Sequence, residues 1–298
     1  MLFNKIRKEL KKNMDCYLMI MPFMVLFIIF TVIPVVMSVP VGFTDFNIVQ
    51  KPEFIGFSNY TALFLSDKIF MKSLRITLIF AFFSGFISYV ICFIIAWFID
   101  SMPHRIGNFF TVIFYIPSMA NVYSVWRIIF SGDMNGYINS LLISIGFITS
   151  PIQWLTDGRY ILFTAVIVQM WLSLGAGFLA MRAGLRGIDH TMYEVGAVEG
   201  INNRFQELIY ITIPSMKPHL MFAGVMQIVS SFTAGTVIQN IVGFPSTDYN
   251  AHTVMTHAYD YGWVRYEMGY ASAICMILFL IMYTVNRIIE KISEKNAD

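Results

Sequence analysis

Charge is what this chain has least of. Only 13% of its 298 residues are Asp, Glu, Lys or Arg, while 57% are hydrophobic. A soluble domain carries about 25% charge and about 45–50% apolar residues. The shortage excludes an ordinary water-soluble domain and implies a chain built for lipid. The net charge of +2 gives no basis for binding nucleic acid. Cysteine is also scarce. Cys16, Cys92 and Cys275 lie far apart, in or beside apolar runs. That spacing fits neither a disulfide framework nor a metal site, so they read as small packing residues. No G-x-x-x-x-G-K-[ST] loop is present, so ATP is not expected to bind this chain in that manner. His252 and His257 sit near Asp248 and Asp260 in "STDYNAHTVMTHAYDYGW". They lack an H-E-x-x-H pattern and are expected to be solvated loop side chains. With no nucleophile–base set, an intramembrane enzyme is disfavoured. No internal repeat or low-complexity tract appears.

What the chain does have is long apolar runs. A helix needs about 20 such residues to cross the hydrocarbon core. The runs predict six transmembrane helices near 17–43, 75–99, 107–130, 160–183, 219–243 and 268–289. A further uncharged run, 134–156, is broken by Gly136, Asn139, Gly146 and Pro151. It is read as an outer loop carrying a short amphipathic helix. The basic N-terminus precedes an apolar stretch too long for a signal-peptide core, so that stretch is read as an uncleaved first span. Lys and Arg set the orientation. With the N-terminus inside, thirteen basic residues fall on inner segments and seven on outer ones. This predicts an all-α membrane protein, N-in and C-in. Residues 1–16 form a basic inner segment, 17–290 the membrane domain and 291–298 an inner tail.

One inner segment does not look like a plain connection. Residues 193–218, "YEVGAVEGINNRFQELIYITIPSMKP", carry five charges and helical periodicity. Thr191-x-x-Glu194 fits a capping box, with Asp189 as a second N-cap candidate. The first short helix should end near Val198, and Gly200 should permit a sharp turn. A second helix should run from about Asn202 to Thr212, with Val198, Ile201, Phe205, Leu208 and Thr212 along an apolar stripe. Pro214 and Pro218 lead into the fifth span. Two readings stand. The element could lie on the membrane surface. Its mixed-sign polar face and helix–Gly–helix form instead suit a groove on a protein partner.

The segment resembles the EAA loop of ABC importer permeases, in the carbohydrate branch. Tyr193, Glu194, Gly200, Ile211 and Pro214 match that pattern, and "AGLRGIDHTM" resembles its lead-in. Val195 and Gly196 depart from Ala-Ala, Glu199 from Asp and Ile201 from Ala, which is expected to loosen the first helix slightly. "IGFSNYTALF", "FFTVIFYIPSMANVYSVWRIIFSGDMNGYIN" with its G-x-x-N loop, and "ASAICMILFLIMYTVNRI" extend the resemblance over most of 17–290. It implies the six-helix type I importer permease fold. It also implies a second permease forming a heterodimer, two ATP-binding subunits and an extracytoplasmic solute-binding protein. ATP and Mg would sit on the ATPase subunits, with no cofactor on this chain. The loop at about 186–217 would dock on the ATPase through Tyr193, Glu194, Val195, Gly196, Glu199, Gly200, Phe205 and Pro214. The cargo would be a sugar or oligosaccharide. Rivals are another solute in the same importer class, such as glycerol phosphate, and an ion-coupled secondary transporter. The latter should show charged residues or broken helices in mid-membrane.

Polar and aromatic groups inside spans are costly unless they line a pathway or find partners. Candidates are Tyr115, Asn121 and Tyr123 in the third span, Gln169 and Trp171 in the fourth, and Gln227, Ser230 and Ser231 in the fifth. Amides and hydroxyls bind sugar hydroxyls, and aromatic faces stack on sugar C–H faces. Each could instead bond its own helix or pack at a helix crossing.

Overall fold

Helices account for nearly all regular structure in the computed structural model, which describes residues 14–119 and 122–295. In order they are α1 (Met14–Val41), α2 (Ser58–Leu65), α3 (Lys68–Asp100), α4 (His104–Met119), α5 (Tyr123–Ile129), α6 (Tyr137–Ser144), α7 (Ile161–Leu172), α8 (Ala176–Arg186) and α9 (His190–Val198). Then come α10 (Arg204–Glu207), α11 (Lys217–Phe232), α12 (Gly235–Val242), α13 (Val254–Tyr259) and α14 (Met268–Lys295). The helix α10 continues through a π-turn at Leu208–Thr212 into a last turn at Ile213–Ser215.

Among the described residues, three helices are each long and apolar enough to cross a membrane: Met14–Val41, Lys68–Asp100 and Met268–Lys291. The other expected spans correspond to helix pairs rather than single rods. The α7–α8 pair bends by 43° and the α11–α12 pair by 45°. This corrects the expectation of continuous helices over 160–183 and 219–243. Both bends share the same local features. Ser173 Oγ donates to Gln169 O at 2.7 Å, and Thr233 Oγ1 donates to Val229 O at 2.7 Å. Such back-bonds to the carbonyl four residues earlier bend helices. In each case a glycine follows two residues on, Gly175 and Gly235. A Cβ on Gly175 would lie 3.1 Å from Ser118 Cβ, and one on Gly235 would lie 2.9 Å from Met255 Cγ. The glycines therefore admit close neighbours just beyond each bend.

The described residues pack as two units, 63–257 with 277–295, and 14–62 with 258–276. In the larger, α8 packs on α3 and α11. One core gathers Phe80, Phe130, Trp154, Ile161, Val168 and Ile238. A second gathers Cys92, Ala96, Phe178, Met181 and Met216. Arg182 is buried beside the second core, donating to Asp100 Oδ1 at 2.7 Å and Ala96 O at 3.3 Å. In the smaller unit, Asn59 Nδ2 donates to Gly42 O and Thr44 O, tying α2 to the end of α1. No residue of α1 is buried.

His252 and His257 are not solvated, contrary to expectation. Both are about 1% exposed. His252 Nε2 lies 3.1 Å from His257 Nδ1, and His257 Nε2 lies 2.9 Å from Asp67 Oδ2. Asp67 Oδ1 also caps α3 by accepting from Phe70 N. The turn before α13 folds under the start of α3, so these polar side chains satisfy one another instead of water.

Candidate functional site

The 186–217 segment forms two short helices set by their caps. Asp189, not Thr191, is the N-cap of α9, accepting from Thr191 N at 3.0 Å. The Thr191–Glu194 capping box is therefore not used. The Thr191 amide holds the Asp189 carboxyl below its ordinary pKa. Helix α9 stops at Val198, as its sequence predicts. Gly200 N donates to Ala197 O and Ile201 N to Gly196 O. This bond pair, with Gly200 at φ +95°, is a Schellman closure that favours glycine. Asn203 then caps α10, accepting from Phe205 N at 3.0 Å.

The two arms lock together on the inner side of the turn. Tyr193 Oη lies 3.0 Å from Thr212 Oγ1, which donates to Glu207 O. Gly196 is buried, and a Cβ there would lie 2.6 Å from Ile211 Cδ1. The departure at Gly196 therefore makes room for Ile211 between the arms. The opposite side is open. Val195, Val198 and Phe205 are exposed, Val198 by 89%. Glu194, Glu199 and Gly200 are exposed beside them, as is Pro214 at the far end of the second arm. The expected apolar stripe thus splits: Val198 and Phe205 are exposed, while Thr212 is buried beside Ile211.

A second site lies in the larger unit. A cleft of about 180 Å³ is lined by Tyr123, Gln169, Ser230, Thr233, Ser118 and Thr236, among others. Gln169 is buried, and its amide donates to Ser230 Oγ at 3.1 Å, Ser230 O at 3.4 Å and Ser173 Oγ at 3.3 Å. The cleft sits where α11 breaks, so backbone groups freed by the break add to its polarity. No charged side chain lines it. Of the sequence-predicted pathway residues, it brings together Tyr123, Gln169 and Ser230.

The others lie elsewhere. Gln227 is buried and donates to Ser173 O at 3.1 Å and Cys92 Sγ at 3.2 Å. Ser231 is buried against Gly85, where a Cβ would lie 3.0 Å from Ser231 Oγ. Trp171 is exposed and meets Trp126 edge-on at 5.9 Å. Tyr115 is half-buried on α4, and Asn121 lies outside the described residues. Ser118 and Thr233, polar residues of the third and fifth spans, also line the cleft; Thr236 is the lining residue the sequence did not single out. Ser118 and Thr233 stand beside the α7–α8 and α11–α12 breaks, and a Ser/Thr-x-Gly pattern marks both breaks in the sequence.

A third feature is the loop after α5. Asn139 is fully buried. Its Nδ2 donates to the carbonyls of Ser131, Asp133 and Ile152, and its Oδ1 accepts from Ile152 N and Trp154 Nε1. The Gly136-x-x-Asn139 motif is thus a staple joining 131–136 to 152–154. A Cβ at Gly136 would lie 2.3 Å from Ser131 O, so the staple depends on that glycine too.

No protein-family model matches the chain. It is 30% identical to the probable ABC transporter permease protein YesP of Bacillus subtilis (strain 168), over 97% of this chain and 93% of that protein. It is 26% identical to the arabinooligosaccharides transport system permease protein AraP of the same organism, over 93% and 88%. In structure it is similar to a chain of a bacterial ABC transporter that imports the acidic polysaccharide alginate, with TM-score 0.79, 20% identity, and 99% and 100% of the two chains covered. That transporter in complex with an alginate pentasaccharide-bound periplasmic protein gives TM-score 0.77 at 19% identity, covering 98% of each chain.

Proposed function

The chain belongs to the ABC transporter permeases, and from that premise we propose that it is one membrane-spanning subunit of an importer carrying a neutral sugar or oligosaccharide. It crosses the membrane six times, N-in and C-in, with each bent helix pair serving as one span. That count agrees with the total of up to six spans reached when each bent pair is counted once. Its partners are a second permease, two ATP-binding subunits and an extracytoplasmic binding protein. The alginate transporter with its loaded periplasmic protein supports the last of these. ATP and Mg act on the ATP-binding subunits, and this chain supplies the path.

The single observation that carries the coupling role is the bent two-helix knob at 190–215. Its inner side is locked by Tyr193, Gly196, Ile211 and Thr212, and its outer side presents Val195, Val198, Phe205 and Glu194. A rigid knob with an apolar centre and an acidic edge fits a groove on a partner. Glu194 makes no hydrogen bond or ion pair among the described residues and is free for a basic group there. ATP-driven closure of the partner subunits moves the knob, and α8 and α11, which flank it, move with it. The membrane domain then alternates between two packings, each favoured by different contacts.

The neutral cleft supports sugar as cargo. Gln169, Ser230, Thr233 and Tyr123 offer amide and hydroxyl groups without a cation to hold a phosphate. This disfavours glycerol phosphate, and the relative named for arabinooligosaccharides points the same way. Broken helices would also fit an ion-coupled transporter, but membership of the ABC transporter permeases does not favour that reading. Pull-down of the native complex, followed by ATPase assay with glycans and glycerol phosphate, tests the proposal. Glycan-stimulated hydrolysis in a complex with an ATP-binding subunit supports it. Stimulation by glycerol phosphate alone overturns the cargo assignment.

A further inference from the structure

We propose that a second, larger cleft in the 63–257 unit is a glycan subsite in line with the cleft at Gln169, so that this permease handles chains of several sugar units. The inference rests on the sugar-importer reading above. The cleft measures about 650 Å³ and lies between α5, α12 and the stapled loops. Small-molecule sites commonly span about 300–1,000 Å³.

Its chemistry suits a neutral polyhydroxyl chain. Arg127, Asp133, Asn135 and Gln153 supply planar polar groups, and Ile128 and Leu155 supply apolar wall. Arg127 makes no hydrogen bond or ion pair among the described residues. Asp133 Oδ2 accepts from Ser131 Oγ at 2.9 Å, which leaves its other oxygen for a sugar hydroxyl. One cation and one anion cancel in formal charge, so an acidic glycan gains no net attraction.

The walls are held in place before any ligand arrives. Asn139 ties the 131–136 loop to 152–154. Gln153 Nε2 donates to Gly132 O at 3.0 Å. Prior ordering of this kind lowers the entropic cost of binding.

The two clefts share their helices. Tyr123 of α5 and Thr236 and Val237 of α12 line the smaller cleft. Ser124 and Arg127 of α5 and Ile241 and Val242 of α12 line the larger. From Val237 to Ile241 is about one helical turn, a rise of roughly 6 Å. An advance of that size is comparable with one sugar unit, so successive units can occupy successive clefts.

The test uses the whole importer, permease pair, ATPases and binding protein, reconstituted in vesicles. The probes are arabino- and malto-oligosaccharide ladders of about one to five units, with an alginate ladder for comparison. Uptake is read by mass spectrometry for wild type, Arg127→Ala and Ser124→Trp, the last filling the cleft while leaving Arg127, Asp133, Asn135 and Gln153 in place. We expect both variants to lower the ratio of long-chain to short-chain uptake about five-fold or more, the scale set by losing one well-placed polar contact. An unchanged ratio in both variants, or equal loss at every length in assembled complexes, overturns the subsite while leaving the sugar reading intact. A wild-type preference for the alginate ladder overturns the neutral assignment. Uptake of no glycan by wild type overturns the sugar reading and the subsite with it.

Discussion

Replacing Asn139 with alanine should be among the most damaging single changes outside the helix cores. The side chain makes three donor contacts and two acceptor contacts while fully buried. Its removal leaves two donors, Ile152 N and Trp154 Nε1, without the oxygen they bond. An orphaned buried donor costs about 1–3 kcal/mol. The buried Trp154 Nε1 carries that cost in full; Ile152 N and the three carbonyls are part-buried, within reach of water, and add less, for about 2–4 kcal/mol in all. About 1 kcal/mol shifts the melting temperature by roughly 2–4 °C in a chain of this order of size, so a fall of about 5–15 °C is expected. Thermal unfolding of the detergent-solubilised protein, followed by tryptophan fluorescence, measures it. Trp154→Phe supplies an internal control. It deletes one of the two donors, so it should cost less in the Asn139→Ala background than in wild type. A drop under about 2 °C, or strict additivity of the two changes, refutes the staple.

Other expectations concern the knob and the buried ion pair. Gly200→Ala places a side chain at φ +95° and should weaken the turn by about 1–2 kcal/mol; Gly200→Asn should cost less, and Gly200→Pro should abolish uptake while insertion persists, as read by transport and membrane fractionation. Gly196→Ala should reduce uptake because its Cβ meets Ile211 Cδ1 at 2.6 Å. Adding Ile211→Val removes that methyl and should restore uptake; no restoration contradicts the packing account. Asp100→Ala should destabilise more than Arg182→Met, because it strands a buried guanidinium whose Nε already has no partner among the described residues. The reverse order in thermal melts contradicts that view.

Much of this architecture was legible in the sequence, for identifiable reasons. Apolar runs mark spans because lipid tolerates little else, so the spans expected near 17–43 and 268–289 fall on α1 and α14. The turn at Gly200 and the stop at Val198 were readable because capping and left-handed backbone depend on local residues. The bends were not read. They fall where Ser173 and Thr233 bond back to their own helix with a glycine two residues on, and apolar periodicity does not register that combination. The burial of His252 and His257 was hidden for a different reason. It depends on Asp67, 190 residues away from His257, and a short polar loop looks solvated until its partner is known. Gln169 and Gln227 were indistinguishable as sequence, both buried amides. Only the packing shows that Gln169 borders a cleft while Gln227 ties α11 to Ser173 and Cys92.

The most direct test of the coupling account is uptake into vesicles holding this chain with its permease and ATP-binding partners, with Glu194→Lys measured alongside wild type. The account predicts sugar accumulation that requires ATP inside and the binding protein outside, and that is lost in an assembled Glu194→Lys complex. Accumulation by this chain alone on a proton or sodium gradient, or undiminished ATP-driven uptake by Glu194→Lys, contradicts it.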